Sequence, residues 1–470
     1  MNDYNKEAIM LEDILKGKKG LFETGMQSVL RGQENRERRI VIQQGNLVVN
    51  ERSESSGVSA KVYKNGVSGF ASMAEYTPQA AEMVLKAATE NAHYLYKYAK
   101  NRKPAFSPYM NGYVKSDRFI IDLEQKKLVD LCRQVDDYIV TKYPKLKSRT
   151  VIYREDTMEK VICTSDAMDG HVAYPRCALY FVLNMESKDG QPLEHMGLVG
   201  GFGNADDNFK DLSEVYEKID TVYRQLCDKA EGVYAQAGVK TVILDSSVAG
   251  MIAHEAVGHT VEADLVIGGS VAGPNLGKQV ASELVSIVDY ANTAFGGQAP
   301  LPVYLDDEGI QAKDAVLVEN GILTGYMHNR ETADRFGVAP CGNARGWDFS
   351  DEPLIRMRNT VVLPGKDTLD DMIASVDDGY YLLATGNGQA DLTGEFMFGI
   401  TMGYEIKNGK LGRAILDTTV SGVAFDMLKT VDMVSDKVKW EACGTCGKKQ
   451  PMAVSMGGPA IKCQITIGGR

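Results

Sequence analysis

Apolar positions follow two rhythms along this chain. In the first half, several stretches keep helical spacing. Residues 5 to 30 set Ile9, Leu11, Ile14 and Leu15 among helix formers, which predicts a helix. Thr77-Pro78 opens a second helix running to about Lys97, with Thr77 as cap and Pro78 at the first helical position. Its apolar residues Ala81, Val84, Leu85, Ala88 and Ala92 share one face. Further helices are predicted from about Leu123 to Thr141 and from Leu212 to Gln236.

Between the helices, β-branched runs bounded by turn residues predict strands. Residues 31 to 39 are strongly charged and read as a loop. Arg39 to Val49 then reads as strand, turn, strand about Gly45-Asn46. Gly57–Tyr63 and Val67–Ala71 flank Lys64-Asn65-Gly66, a strong hairpin signal. Strands over 148–164 and 171–186 follow. This half predicts an α/β domain of the α+β class, with helices laid on a mostly antiparallel sheet.

The second half is richer in Gly and strand patterns: Glu283–Asp289, Ile310–Val318, Val361–Leu363, Tyr380–Ala384, Phe396–Lys407 and Ala414–Gly422. Asn320-Gly321 and Asn408-Gly409 read as hairpin turns. The expected organisation is an N-terminal α+β domain over 1–235 and a β-rich, barrel-like domain over 236–470.

Composition narrows the class. The 470 residues are 44% apolar and 24% charged, as in ordinary globular proteins. A net charge of −11 argues against a nucleic-acid groove and against an electrostatic hold on anionic membrane. The polar stretch Met1–Glu7 lacks a signal peptide's apolar core, and no run reaches the roughly 18 apolar residues of a membrane span. A cytoplasmic protein is expected. Its eight cysteines then read as reduced thiols or metal ligands rather than a disulfide framework.

The candidate chemistry centres on His254-Glu255-Ala256-Val257-Gly258-His259, after the apolar run Val239–Leu244 and the capping stretch Asp245-Ser246-Ser247. Two imidazoles and a carboxylate suit a zinc hydrolase: the rings bind metal, and the carboxylate takes a proton from bound water. The spacing differs from H-E-x-x-H, where both histidines share a helix face. Five residues at about 100° each put these rings roughly 140° apart on an ideal helix. They converge only through a π-type turn, or if the helix ends near Gly258. Two unrelated histidines are the bland alternative.

A catalytic zinc wants a third protein ligand. Glu262, Asp264, His328, Cys341, Cys443, Cys446 and Cys463 are candidates. Glu262 and Asp264 read first as solvated carboxylates, and His328 as a loop hydrogen-bonder. Cys443-Gly444-Thr445-Cys446 is half a structural zinc site, with no second C-x-x-C to complete it. The residues after it, 447–451, read as loop, which disfavours a thioredoxin-like pair. Gly268–Gly273 and Gly386-Asn387-Gly388 lack the features of a phosphate loop, and no G-x-S-x-G is present.

With Thr260-Val261-Glu262-Ala263-Asp264 following the histidines, the chain resembles the TldD/PmbA family, metallopeptidases also labelled modulators of DNA gyrase. Asp306–Gly309, Glu319–Leu323, Gly342–Arg345, Arg356–Thr360, Gly403–Gly409, Ser421-Gly422, Cys446-Gly447-Lys448 and Gly468-Gly469 resemble family blocks in order. The HExxxH motif marks the TldD-type branch. The resemblance implies Zn2+ held by His254, His259 and Cys446, with Cys443 a second thiol nearby, and Glu255 activating a zinc-bound water. It implies hydrolysis of unfolded or flexible peptides held like an added strand, and a homodimer or a heterodimer with a PmbA-type paralogue. Two other functions compete: a non-catalytic regulator that binds peptides or a partner, and a redox or metal-storage role through Cys443 and Cys446.

Overall fold

The computed structural model describes residues 12, 15, 17–100, 105–116 and 122–468. The first sheet holds seven strands. They are β1 (Gln27–Gln43), β2 (Asn46–Lys64), β3 (Val67–Met73), β4 (Gly112–Lys115), β5 (Ser148–Thr164), β6 (Met168–Glu186) and β7 (Pro192–Phe202). Their order is β3-β2-β1-β5-β6-β4, with β7 also on β6, and every pairing but β4–β6 is antiparallel. Helix α1 (Pro78–Tyr98) packs Val84, Leu85 and Ala88 against β1 and β2. Thr77 caps it by accepting from the Ala80 N–H. Helices α2 (Gln125–Lys142) and α3 (Ser213–Ala230) bury Val135, Ile139, Ile219 and Val222 on the other end of the sheet, over Ile40, Tyr153 and Phe181.

Two readings of this half change. Of the helix expected over 5–30, residues 5–11, 13, 14 and 16 lie outside the described residues, 17–26 are turns with one 3-10 turn at Lys19–Leu21, and Gln27 onward is strand. The charged stretch 31–39 is the middle of β1 rather than a loop. Its charges tolerate a central strand because those turned inward find partners: Arg36 pairs Glu34, Arg38 pairs Asp122, and Arg31 pairs Asp307 from the second half.

The second half forms a closed barrel and a second sheet. The barrel strands are β8 (Gly238–Leu244), β13 (Asp378–Ala390), β14 (Glu395–Lys407), β16 (Thr418–Val423) and β20 (Ile461–Ile467). They run β13-β8-β20-β16-β14, and β14 pairs back onto β13 to close the ring. The second sheet contains β9 (Ile287–Tyr290), β10 (Ala315–Glu319), β11 (Ile322–Leu323), β12 (Asn359–Val362), β18 (Lys439–Lys448) and β19 (Gln450–Gly458), ordered β11-β10-β9-β12-β19-β18. Short strands β15 (Lys410–Ala414) and β17 (Met433–Val434) flank the barrel. The Asn-Gly turns at 65, 320 and 408 place asparagine at φ 48°, 47° and 51°, as tight hairpins require.

Helix α4 (Ser246–Ile252) follows β8 and continues into the histidine segment, sharing one apolar core with the barrel and the second sheet. Asp245 precedes it but makes no side-chain cap; its carboxylate accepts from the Tyr381 hydroxyl. Strands β18 and β19 replace the loop expected over 447–451. They form a hairpin turning at Lys449, which takes φ 61°.

The two halves are joined by buried charge. Asp307 lies 2.6 Å from Arg31 and 2.7 Å from Lys160, all almost fully buried. Burial alone would raise its carboxyl, but the two cations outweigh it and hold it below the ordinary range. Asp307→Asn leaves both cations without a counter-charge. It is expected to destabilise the protein by about 3–5 kcal/mol. A depressed carboxyl stabilises above its ordinary pKa and stops doing so as pH falls through its folded value. Urea unfolding across acid pH checks both: the gap between wild type and Asp307→Asn should close as the solution is acidified.

Candidate metal centre

Residues Ala253–Gly258 form a π-type turn inserted after α4. The His259 N–H donates to the His254 carbonyl, five residues back. The extra residue in the turn cancels the divergence that i,i+5 spacing gives on an α-helix. The two rings stand 5.3 Å apart at 80° to one another. Of the two ways the rings could meet, the π-type turn is the one seen. Gly258 keeps an ordinary helical φ of −53°. Its lack of a side chain serves packing: a Cβ there would lie 2.1 Å from the Met357 sulfur.

Cys446 arrives from β18. Its Sγ lies 3.2 Å from His259 Nε2. His254, His259 and Cys446 each offer a ligand atom, all within 4.8 Å of one another. Of the other candidates, Cys443 turns away, its Sγ 3.6 Å from the Cys177 carbonyl, and burial pushes its thiol up to about 11. All eight cysteines are free thiols. His328 hydrogen-bonds Thr332, Cys463 lies in the barrel core, and Cys341 packs at that core's margin.

Glu262, a candidate ligand expected to be solvated, and Lys448 hold positions around His259 that the sequence does not predict. Glu262 is fully buried rather than solvated, with Oε2 3.0 Å from His259 Nδ1. Lys448 Nζ sits 3.2 Å from that carboxylate and 2.8 Å from Asp264. A carboxylate on the far nitrogen fixes the ring so that Nε2 faces the cluster. Glu262 follows His259 by three residues, and Lys448 follows Cys446 by two on one strand. A loop over 447–451 would not turn residues 446 and 448 to one side, as the strand does.

The electrostatics suit a cation. Burial, then His259 and Arg356, push His254 far below its ordinary pKa, so its ring is neutral. Neither of its ring nitrogens has a hydrogen-bond partner, though both are buried. That is costly unless something binds them. Burial would lower His259 too, but Cys446 and Glu262 outweigh it and raise it to about 10. Burial raises the Glu255 carboxyl against the pull of His259, with Glu262 adding to the rise. Glu255 Oε2 lies 3.7 Å from His259 Nε2. Neutral imidazole, thiol and a reachable carboxylate form a donor set that fits a borderline-soft divalent ion.

Comparison with known proteins agrees. Residues 237–469 match the model of the PmbA/TldA metallopeptidase C-terminal domain, and residues 29–92 that of PmbA/TldA metallopeptidase domain 1. A metalloprotease of Methanocaldococcus jannaschii is 31% identical over 465 residues, covering 95% of this chain and 98% of its own. The metalloprotease TldD homolog of Haemophilus influenzae is 33% identical over 362 residues, 74% of this chain and 72% of its own. The zinc metalloprotease TldD homolog of Saccharolobus solfataricus is 27% identical over 366 residues, 77% and 81% of the two chains. Among solved structures, a Thermotoga maritima protein described as a modulator of a DNA gyrase has a TM-score of 0.76 at 19% identity, covering 98% of this chain and 99% of its own. TldE from Thermococcus kodakarensis has a TM-score of 0.72 at 16% identity, covering 98% and 100%. At those identities the likeness shows the fold. Taken together, the matches make the protein a metallopeptidase. It belongs to the PmbA/TldD family.

The raised His259 pKa has a measurable consequence. Below about pH 10 the metal-free ring carries a proton that an incoming ion must displace. Zinc affinity should therefore rise with pH between 6 and 9, by roughly tenfold per unit for each proton displaced. Calorimetric titration in buffers of different ionisation enthalpy checks this, and should read release of at least one proton per ion bound. Binding with no proton release would contradict the charged His259.

Proposed function

We propose that the protein is a zinc-dependent peptidase acting on unfolded or flexible peptides, with zinc held by His254, His259 and Cys446 and with Glu255 as the catalytic base. The observation that carries this is His254: a buried neutral imidazole, both nitrogens unpartnered, beside a second imidazole and a thiol. When bound, the ion supplies Lewis acidity, bringing the pKa of a water near 7 and polarising a peptide carbonyl.

The chain's own residues do the rest. Glu255 takes a proton from the attacking water on its carboxylate and delivers it to the leaving amine nitrogen. Its upward shift by burial brings it towards the range where it can do both. Glu262 and Lys448 keep His259 Nε2 turned to the cluster. The side chains of Glu255 and His259 are 26% and 19% exposed, whereas His254 is fully enclosed. Substrate therefore approaches over Glu255.

An extended peptide paired along its backbone would bind with little side-chain preference, as the family resemblance implies. We take the working form to be a dimer, with itself or with a PmbA-type partner, and the chain to divide near residue 235. The change of sheet at β8 supports that boundary. Eight unpaired thiols support a reducing, cytoplasmic setting. Among the described residues no helix is long and apolar enough to cross a membrane.

Metal analysis and hydrolysis of an unfolded test peptide examine the proposal together. Wild type should carry about one zinc per chain. Glu255→Gln should keep the metal and lose about 10²–10⁴-fold in hydrolysis. Cys446→Ala should lose most of the zinc. Wild-type cleavage by Glu255→Gln would leave a binding role in place of catalysis, and full zinc retention by Cys446→Ala would remove that thiolate from the ligand set.

A further inference from the structure

The strand that carries Cys446 is irregular just before it. The ladder between β18 and β19 runs from Lys439 to Glu441, breaks, and resumes at Gly444. Ala442 and Cys443 form a bulge, which bends a strand and re-aims the side chains beyond it. A bulge ending three residues before a ligand leaves that ligand's position set by whatever else grips the strand.

Two guanidinium groups grip it. Arg356 donates to the Cys446 carbonyl at 2.9 Å and to the Gln450 carbonyl at 2.8 Å, from within the second half of the chain. Arg176 comes from β6 in the N-terminal sheet. Its Nη1 donates to the Gly444 carbonyl at 2.6 Å and its Nη2 to Thr445 Oγ1 at 3.3 Å. Arg176 is almost fully buried. Its Nε is held by Asp156, the residue directly opposite on β5. The next residue of β6, Cys177, accepts from the Cys443 thiol through its carbonyl. So consecutive residues of β6 hold both the bulge and the residues after it.

We propose that Arg176 is a positioning residue for the metal centre, through which the N-terminal sheet fixes the strand that presents the Cys446 thiolate. This rests on the metal-ligand reading above. The arrangement has the form of a supporting shell: Asp156 orients Arg176, Arg176 orients Gly444 and Thr445, and these set Cys446. Buried and charge-paired, the guanidinium holds a planar fork with two free N–H groups pointed at one strand. Lysine would keep the charge but lose the fork.

The test replaces Arg176 with Met and with Lys and reads the thiolate directly. Zinc affinity is measured by competition with a chromophoric chelator. The cobalt-substituted protein is examined for its thiolate-to-cobalt charge-transfer band. Arg176→Met should weaken zinc about 10–100-fold and reduce or shift that band. Arg176→Lys should fall between it and wild type. Thr445→Val removes one contact, leaves the Asp156–Arg176 pair intact, and should change both readouts in the same direction by a smaller factor. Wild-type affinity and an unaltered band in folded Arg176→Met overturn the proposal and leave the metal centre standing. Should Arg176→Met not fold, unaltered readouts in both Arg176→Lys and Thr445→Val overturn it. A wild-type protein with no thiolate band removes the metal-centre reading and this one with it.

Discussion

The geometry of this site turns on one backbone constraint. An α-helix repeats about every 3.6 residues, so side chains five apart point in different directions. Widening one turn to the π pattern absorbs the extra residue and turns His254 and His259 to a common point. Such turns are rare because their hydrogen bonding and packing are poorer than those of an α-turn, and they gather at functional sites. Here the surroundings hold it in place. The Met357 sulfur fills the space a side chain at Gly258 would occupy, and the segment is buried between barrel and second sheet. With the rings diverging, His254 would be one more buried base lacking a partner.

Part of the surroundings compensates for burying the rings. Taking an imidazole and a carboxylate out of water is costly unless each is paired. Glu262 is paired twice, by His259 Nδ1 and by Lys448. Lys448 is shared with Asp264 and with the Ile355 carbonyl. His254 has both ring nitrogens unpartnered, whereas Glu262 leaves only Oε1 and Arg356 only Nε without a partner. Two bare nitrogens on a neutral ring, beside a second imidazole and a thiol, are a donor arrangement that a cation would satisfy. The surrounding polar network also narrows what the ligand can be. A cation is favoured by the thiol and the neutral ring, while the cationic Lys448 lies on the far side of His259, where it balances Glu262 instead of repelling the ion.

What the sequence made legible follows the range of the interactions involved. Asn-Gly turns depend on two residues, and all three hairpins stand where they were expected. The need for a π-type turn could be read from six residues, since it is a matter of angles. The charged run 31–39 misled because its partners are remote: Arg31 meets Asp307, 276 residues on. Local pattern sees nine mostly charged residues and reports a loop; the fold supplies the counter-charges that make it a central strand. Around 447–451, glycine, lysines and proline again suggested a loop. They belong to a tight hairpin whose strand places residues 446 and 448 toward one site. The thiol's identity came from resemblance; the roles of Glu262, Lys448 and Arg176 needed the tertiary structure.

That long-range character says something about when the site exists. Cys446 lies 187 residues beyond His259. Closing a flexible loop of that length costs about 5 kcal/mol in chain entropy. In the folded chain the strand pairing between the two segments offsets that cost without help from a ligand. The last strand, β20, pairs with β8, and β8 leads directly into the histidine helix, while β20 follows the β18–β19 hairpin that bears Cys446. The pairing of β8 with β20 therefore ties together the two segments that hold the halves of the donor set. A half-folded chain offers an ion two histidines without a sulfur, or a sulfur without histidines. The complete donor set, and with it the hydrolytic chemistry, comes into being only when the C-terminal half has closed.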